Sequence, residues 1–409
     1  MTSRKTLVAL AALALFTMAN AAAAQIAVSA NDNKVKLNNG KVDVVKGPAA
    51  DTITVIDLGA NPPKVLSEIE VPNSVVGPPL NVAITPKQEI ALITSNMKID
   101  PAAPEKTIPD DRVTVVDLTT LHASLTSRLK TAVGLGKNEP APAAKVLATV
   151  QAGKGAAGIA MNRAGTLALV ANRAEGTVSV LTISGKTVTA GEKIKVGGEN
   201  SGPSGVVISP EGTMALVTLD ADNKIVVLSI DGTTVKATDR VISAGLRPYT
   251  IDIAKTGDVA IVGNIGIGGG DADTISVIDL KATPPRVVNT VTVGQTPEGL
   301  KISPDGKFVA VTVMNGTNKP SNSPFYNSNG KLQVWARNGT QLTKSGELNI
   351  GRWCQGIAWK NDNRTMLVQC MAEEEINVVR FTGGTGNSLS KAGAIKTKGG
   401  PAGIRTAEP

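Results

Sequence analysis

The 409-residue chain is poor in aromatic residues, at 2% of the total, and holds one histidine and two cysteines. Each scarcity removes a class of chemistry. A serine triad or cysteine–histidine dyad needs a histidine base oriented by a third group. The sole histidine, His122, stands isolated in "TTLHASL", and no G-x-S-x-G elbow occurs. It reads as a solvent-facing residue of a short helix over 121–133. A single histidine also excludes a His-rich metal centre, and two thiols without a nearby histidine make an incomplete zinc site. Sequence-tolerant nucleic-acid binding wants exposed rings for base stacking, and the lysines form no basic stripe, so nucleic acid is not expected as a partner.

Long apolar runs are missing as well, except at the start. "MTSRKTLVALAALALFTMANAAAAQ" has a basic beginning, an apolar stretch from Leu7 to Phe16 and a small-residue segment ending at Ala24. This is the layout of a secretory signal peptide over 1–24. The stretch is shorter than the roughly 20 residues that cross a bilayer. The expected mature protein, 25–409, is therefore periplasmic or secreted, without a membrane span. Net charge is +8, and +6 once Arg4 and Lys5 are removed.

What the chain has instead is repetition. Residues 145–183, "KVLATVQAGKGAAGIAMNRAGTLALVANRAEGTVSVLTI", read as four short strands, A to D, divided by Gly-, Asn- and Asp-containing turns. Strand C, "LALVAN", is continuously apolar and expected to be covered on both faces. Strand D, "TVSVLTI", alternates and is expected to keep one wet face. Each of the B-type and D-type runs recurs seven times. The two series are out of phase. "QIAVSAND" and "DTITVIDL" supply a C and a D at the N-terminus, while "KAGAIKT" and "AGIRTA" supply an A and a B at the C-terminus. The chain ends together make one unit, so the expected fold is all-β. It is a seven-bladed β-propeller of four-stranded antiparallel blades, closed by N-terminal outer strands pairing with C-terminal inner strands.

"LALVAN" followed by "TVSVLTI", and "GLKISPDGKFVAVTV" from Gly299, resemble the bacterial YVTN-repeat seven-bladed propellers. Those are secreted or periplasmic proteins related to lactonase-type and quinoprotein-like propellers. The tetrapeptide is degenerate here, as "LVAN", "IVGN" and "ITSN". The resemblance implies a fold and leaves the chemistry open.

The cysteines in "WCQGIAWKNDNRTMLVQC" flank a hairpin signal that sets Cys354 opposite Cys370, close enough for a disulfide. Antiparallel order places A–B and C–D loops on one rim. Four C–D loops are long, starting at Asn31, Met97, Ile265 and Asn315. Of the aromatic residues beyond the leader, Phe325 and Tyr326 fall in the last of these loops. Trp353 falls in the adjoining "GRWCQG" beside Arg352. Rings with a polar end and a guanidinium favour recognition of a ligand. Other A–B loops add Lys154, Glu199, Asn200, Arg247, Tyr249, Glu298 and Lys398 to the candidate rim. Carboxylates two apart in "GGGDADT" and "LDADNK" suit calcium in part, but both stretches lack the glycine and distal glutamate of an EF-hand loop. No cofactor is assigned. The leading expectation is a monomeric, non-enzymatic module that binds a small molecule, peptide or periplasmic protein through this rim. The alternative is a lactonase-type hydrolase using rim arginine and glutamate.

Overall fold

The computed structural model describes residues 25–121, 143–384, 386 and 388–407. The segment carrying His122 and the short-helix reading lies outside the described residues, as does the leader. Thirty-two strands, β1 to β32 in chain order, form seven four-stranded antiparallel sheets and two small hairpins. Together the seven sheets are the blades of a propeller. No helix among the described residues is long and apolar enough to cross a membrane.

Blade 1 closes the ring. Its order from axis to edge is β32 (Gly400–Thr406), β1 (Ile26–Asp32), β4 (Thr52–Asp57) and β5 (Lys64–Glu70). Ala27 faces Thr406 and Asp32 faces Gly400 across the seam. The closure runs as expected, with one difference in detail. A single C-terminal strand enters blade 1, whereas "KAGAIKT" in β31 (Leu389–Lys396) is the outermost strand of blade 7. Each A-type strand therefore finishes the blade before it. The cause is strand pairing: an A strand follows D through a turn and pairs with it as a hairpin, before the chain crosses to the next inner strand.

This shift also changes the D strands. β14 (Thr177–Ser184) is third of four and largely buried, because adjacent blades pack on both its faces, Val178 and Val180 joining a core with blade 4 and Leu181 and Ile183 one with blade 2. Its alternating polar residues are served internally. Asn172, the last residue of β13 (Leu167–Asn172), donates Nδ2 to Thr177 Oγ1 and Ser179 Oγ, each at 2.9 Å. Asn264 serves Thr274 and Ser276 at 3.0 Å, and Asn31 serves Thr52 and Thr54 at 3.1 and 2.9 Å. The asparagine recurring at the end of C strands is thus a buried donor for two hydroxyls, each such bond worth about 1 kcal/mol net. Strand C itself is buried along its length, as its composition predicts.

The inner strands are β6 (Val82–Ile84), β12 (Ala156–Met161), β16 (Pro203–Ile208), β20 (Pro248–Ile253), β24 (Pro297–Ile302), β28 (Cys354–Trp359) and β32. Hydroxyls tie neighbouring blades together near the rim. Thr218 Oγ1 donates to the Tyr249 carbonyl at 2.9 Å and Thr312 Oγ1 to the Gln355 carbonyl at 2.8 Å. Thr250 bonds the Glu298 carbonyl, and Thr94 that of Ala157. Such contacts require bare backbone on the facing strand. A Cβ placed on Gly299 would collide with the Gln355 carbonyl oxygen, which is backbone and cannot swing aside. Within blade 7, Cys354 and Cys370 are paired in register and joined by a disulfide.

Gly299→Ala is therefore expected to destabilise the fold by about 2–3 kcal/mol, as overpacking against rigid neighbours does. Denaturant unfolding of the variant checks this, and a loss under about 0.5 kcal/mol would show that blades 6 and 7 separate freely.

Candidate active site

The residue two places into each inner strand, counting from the rim, is Ala157, Ser204, Tyr249, Glu298 or Gln355 in blades 3 to 7, and Ala402 at the matching position of blade 1. Polar side chains thus occupy the arc from blade 4 to blade 7. Across that arc they meet. Arg173, directly after β13, places its guanidinium carbon 5.3 Å from the Tyr249 ring centroid, at cation–π range. It also donates to Ser204 Oγ, and through Nη2 to Asp220 Oδ2 at 2.7 Å. Arg247 Nη2 reaches the same Asp220 oxygen at 2.9 Å. On the far side Gln355 Nε2 donates to Glu298 Oε1 at 2.9 Å, while Gln355 Oε1 is buried without a hydrogen-bond partner.

Backbone geometry marks the same arc. In blades 3 to 7 the residue just before the inner strand adopts a left-handed conformation, and blades 3 and 4 use glycine there, Gly155 at φ 73° and Gly202 at φ 63°. Blades 5, 6 and 7 instead hold Arg247 at φ 55°, Thr296 at φ 57° and Trp353 at φ 46°. A side chain at such φ costs on the order of 1 kcal/mol, and strain of this kind clusters where function requires it.

Two adjoining cavities open over these residues. One, of about 660 Å³, is lined by Arg173, Glu199, Asn200, Asp220, Leu246, Arg247 and Ile267, among others. The second, of about 250 Å³, is lined by Arg247, Ile267, Thr296, Glu298, Met314, Asn318 and Trp353 together with Leu37 and Val42. Arg247 and Ile267 belong to both. The long C–D loops supply the roof. Blade 1 inserts the hairpin β2 (Val35–Asn38) and β3 (Lys41–Val44), and its tip residue Asn39 accepts a bond from the Ser321 amide of the blade-6 loop at 2.7 Å. Lys319 of that loop bonds the Gly268 carbonyl of the blade-5 loop in turn. Met97, at the start of the blade-2 hairpin, lines the larger cavity.

Charge in the site is set by burial. Burial pushes the Glu298 carboxyl up to about 8, outweighing the Gln355 hydrogen bond and the positive charges of Arg247 and Arg173. The same burial raises the Tyr249 phenol above its ordinary value, against the opposing pull of Arg173. Burial works against the Arg173 charge, yet Tyr249, Asp220 and Glu298 around it hold its pKa above the usual arginine value.

The structure brings Arg247, Tyr249, Glu298 and Trp353 together, with Glu199 and Asn200 on the margin of the larger cavity. Trp353 is buried among Val35, Val75, Met314 and Met371 and forms a wall. Arg352 turns outward to Glu373, 3.0 Å away. Lys398 pairs with Glu68 at 3.1 Å, and Lys154 is exposed, with its amide bonded to Glu175. Phe325 is 44% exposed and lies over Gly270, and Tyr326 follows it in the roof loop. Sequence reasoning missed Arg173, Ser204 and Gln355, and met Asp220 only as half of the calcium-like pair in "LDADNK", whereas the structure gives it to Arg173 and Arg247. Aligning "PSGV", "PYTI", "PEGL" and "CQGI" on their strand starts reveals Ser204 and Gln355, since they share the register of Tyr249 and Glu298. No comparable signal marks Arg173 or Asp220, whose meeting depends on the ring.

A family model described as Lactonase, 7-bladed beta-propeller, matches residues 132–244. Among solved structures the chain is similar to the periplasmic gluconolactonase of Pseudomonas aeruginosa, at 15% identity and TM-score 0.66, over 94% of this chain and 99% of that one. A putative 6-phosphogluconolactonase from Bacteroides fragilis gives 15% identity and TM-score 0.66 over 94% and 98%. Hydrazine synthase of Kuenenia stuttgartiensis gives 18% and 0.59 over 82% and 91%. Comparison with curated protein sequences finds no match. At these identities the likeness establishes the seven-bladed propeller fold and nothing finer.

Two measurements probe the site directly. Because Glu298 binds its proton up to about pH 8 when folded and only to about 4.5 when unfolded, stability falls as pH rises between those values. Glu298→Gln is expected to remove that part of the slope, read as the difference between wild-type and variant unfolding curves from pH 5 to 8.5. Parallel slopes would mean that Glu298 is ordinarily ionised. At position 247, the glycine variant is expected to be about 1 kcal/mol more stable than the alanine variant, since both lose the guanidinium and only alanine keeps the strained φ. Equal stabilities would show that the backbone there relaxes.

Proposed function

We propose that the protein is an exported hydrolase of small lactones, acting where Glu298 and Arg247 share the smaller rim cavity. The observation that carries this reading is a buried carboxyl with its proton affinity near neutrality, set beside a guanidinium that is already anchored. The lactonase family match over 132–244 and the gluconolactonase neighbours support it. They favour it over the module without catalysis that composition alone suggested. Export is supported by the leader pattern and by a disulfide, which persists in oxidising compartments.

The chemistry needs a general base and an oxyanion partner. Ionised Glu298 takes a proton from water as its oxygen attacks the lactone carbonyl. Arg247 holds the negative charge that develops on the carbonyl oxygen. The ring C–O bond then breaks, and the departing alkoxide receives the proton from Glu298. The hydroxy acid leaves, and the carboxylate is restored. Arg173 and Gln355 are positioning residues. The first competes for and steadies Asp220, which aims Arg247, while the second fixes the Glu298 carboxyl.

The test is a panel of lactones assayed net of spontaneous ring opening. Below pH 8, kcat/KM is expected to climb about tenfold per pH unit as Glu298 ionises, and to level off above it. Glu298→Gln should lower kcat by a factor of about 10²–10⁴ without loss of fold. Turnover that survives both Glu298→Gln and Arg247→Ala would overturn the reading, and ligand binding without any hydrolysis would return the protein to a binding role.

A further inference from the structure

We propose that the ligand taken by this site is amphipathic, a lactone carrying an apolar chain that lies along Leu246 and Ile267. This rests on the hydrolase reading for its head group and on a separate observation for its tail. Among the described residues nine large hydrophobic side chains are exposed. Five of them, Val65, Val146, Leu147, Val241 and Val288, lie on the outermost strands of blades, where such residues are ordinary. The other four, Val42, Leu246, Ile267 and Phe325, all belong to loops of the one rim.

Three of those four line the cavities. Ile267 is 70% exposed and borders both, Leu246 at 46% borders the larger, and Val42 at 42% borders the smaller. They are contributed by an A–B loop and by two C–D insertions from blades far apart in sequence. Backbone bonds from Ile265 to Arg247 and from Gly266 to Leu246 bring Leu246 beside the Ile267 loop, whereas Val42 reaches the same mouth from blade 1, with no strand pairing to either. An apolar patch rimmed by polar groups, opening onto a cavity, marks a ligand groove. Here it begins at Arg247, which with Ile267 borders both cavities, and leads outward. A head group set between Glu298 and Arg247, beneath Trp353 and Met314, therefore has an apolar path past Ile267 to Leu246. A polyhydroxylated chain laid on the same path would desolvate its hydroxyls against side chains that cannot bond them.

The probe is a series of γ-lactams with alkyl substituents from ethyl to decyl, stable isosteres whose binding is read by calorimetry, alongside turnover of the matching γ-lactones. Affinity and kcat/KM are expected to rise about threefold per methylene through the shorter members and then flatten, as burial of each CH₂ against a partly open wall gives. The double variant Leu246→Ser, Ile267→Ser, at exposed positions where folding is not at stake, should flatten that slope. Rates and affinities indifferent to chain length, or a polyhydroxylated lactam bound more tightly than the alkyl series, would overturn the proposal even if lactones are hydrolysed. Length-dependent lactam binding with no lactone hydrolysis would uphold it and remove the hydrolase reading instead.

Discussion

At four junctions the blades approach so closely near the rim that a threonine hydroxyl of one bonds an inner-strand carbonyl of the next, and the layout of the polar arc follows from that contact. Thr218, Thr250 and Thr312 each grip the carbonyl of a residue whose side chain belongs to the polar arc: Tyr249, Glu298 and Gln355. Strand spacing, blade order and the placement of chemical groups are therefore set by the same bonds. A propeller with looser blades would keep its cores but lose the meeting of Glu298 with Gln355. Closure by β32 against β1 keeps the ring from opening at its one covalent gap.

Much of this was legible in the chain. The phase offset between B-type and D-type runs required a ring, because no open array leaves complementary half-units at its two ends. Cys354 and Cys370 were legible for a local reason, since a hairpin is fixed by its own turn. The fate of the A strands was not, because a run such as "KAGAIKT" adjoins two blades in sequence and only pairing decides between them. The wet face expected of "TVSVLTI" failed for a related reason. Alternation of polar and apolar residues signals water only when no internal donor is available, and Asn172 is such a donor.

The site was half legible, along a physical line. Residues at a repeated strand position, Tyr249 and Glu298, could be placed by register. Residues that act by reaching across blades could not: Arg173 of blade 3 contacts Ser204 and Asp220 of blade 4 and Tyr249 of blade 5. Aromatic scarcity drew attention to Phe325, Tyr326 and Trp353 as a set, yet the structure divides them. Trp353 is a buried wall with a strained backbone, and Phe325 belongs to the roof. Rarity of a residue type is a weak guide, whereas a side chain standing where geometry favours glycine is a stronger one.

A ring of near-identical blades offers no direction of its own, so a site on its axis needs broken symmetry. Here the break is double. Glycine precedes the inner strands of blades 3 and 4, and Arg247, Thr296 and Trp353 precede those of blades 5 to 7, so side chains crowd one half of the mouth. The roof is uneven as well, with long insertions on blades 1, 2, 5 and 6 and short C–D turns at Asn172–Thr177, Leu219–Lys224 and Cys370–Glu375. The larger cavity opens over blades 3 and 4, where Arg173 and Asp220 stand, and Glu298 lines the smaller one, roofed by the blade-1 and blade-5 insertions. Fixed charge thus stands toward the opening and the buried acid away from it, and burial is what pushes that acid's proton affinity up. Leu37, Gly40 and Val42 of the blade-1 insertion border the same cavity as Glu298, so the roof and the buried acid are parts of one enclosure built from opposite ends of the chain.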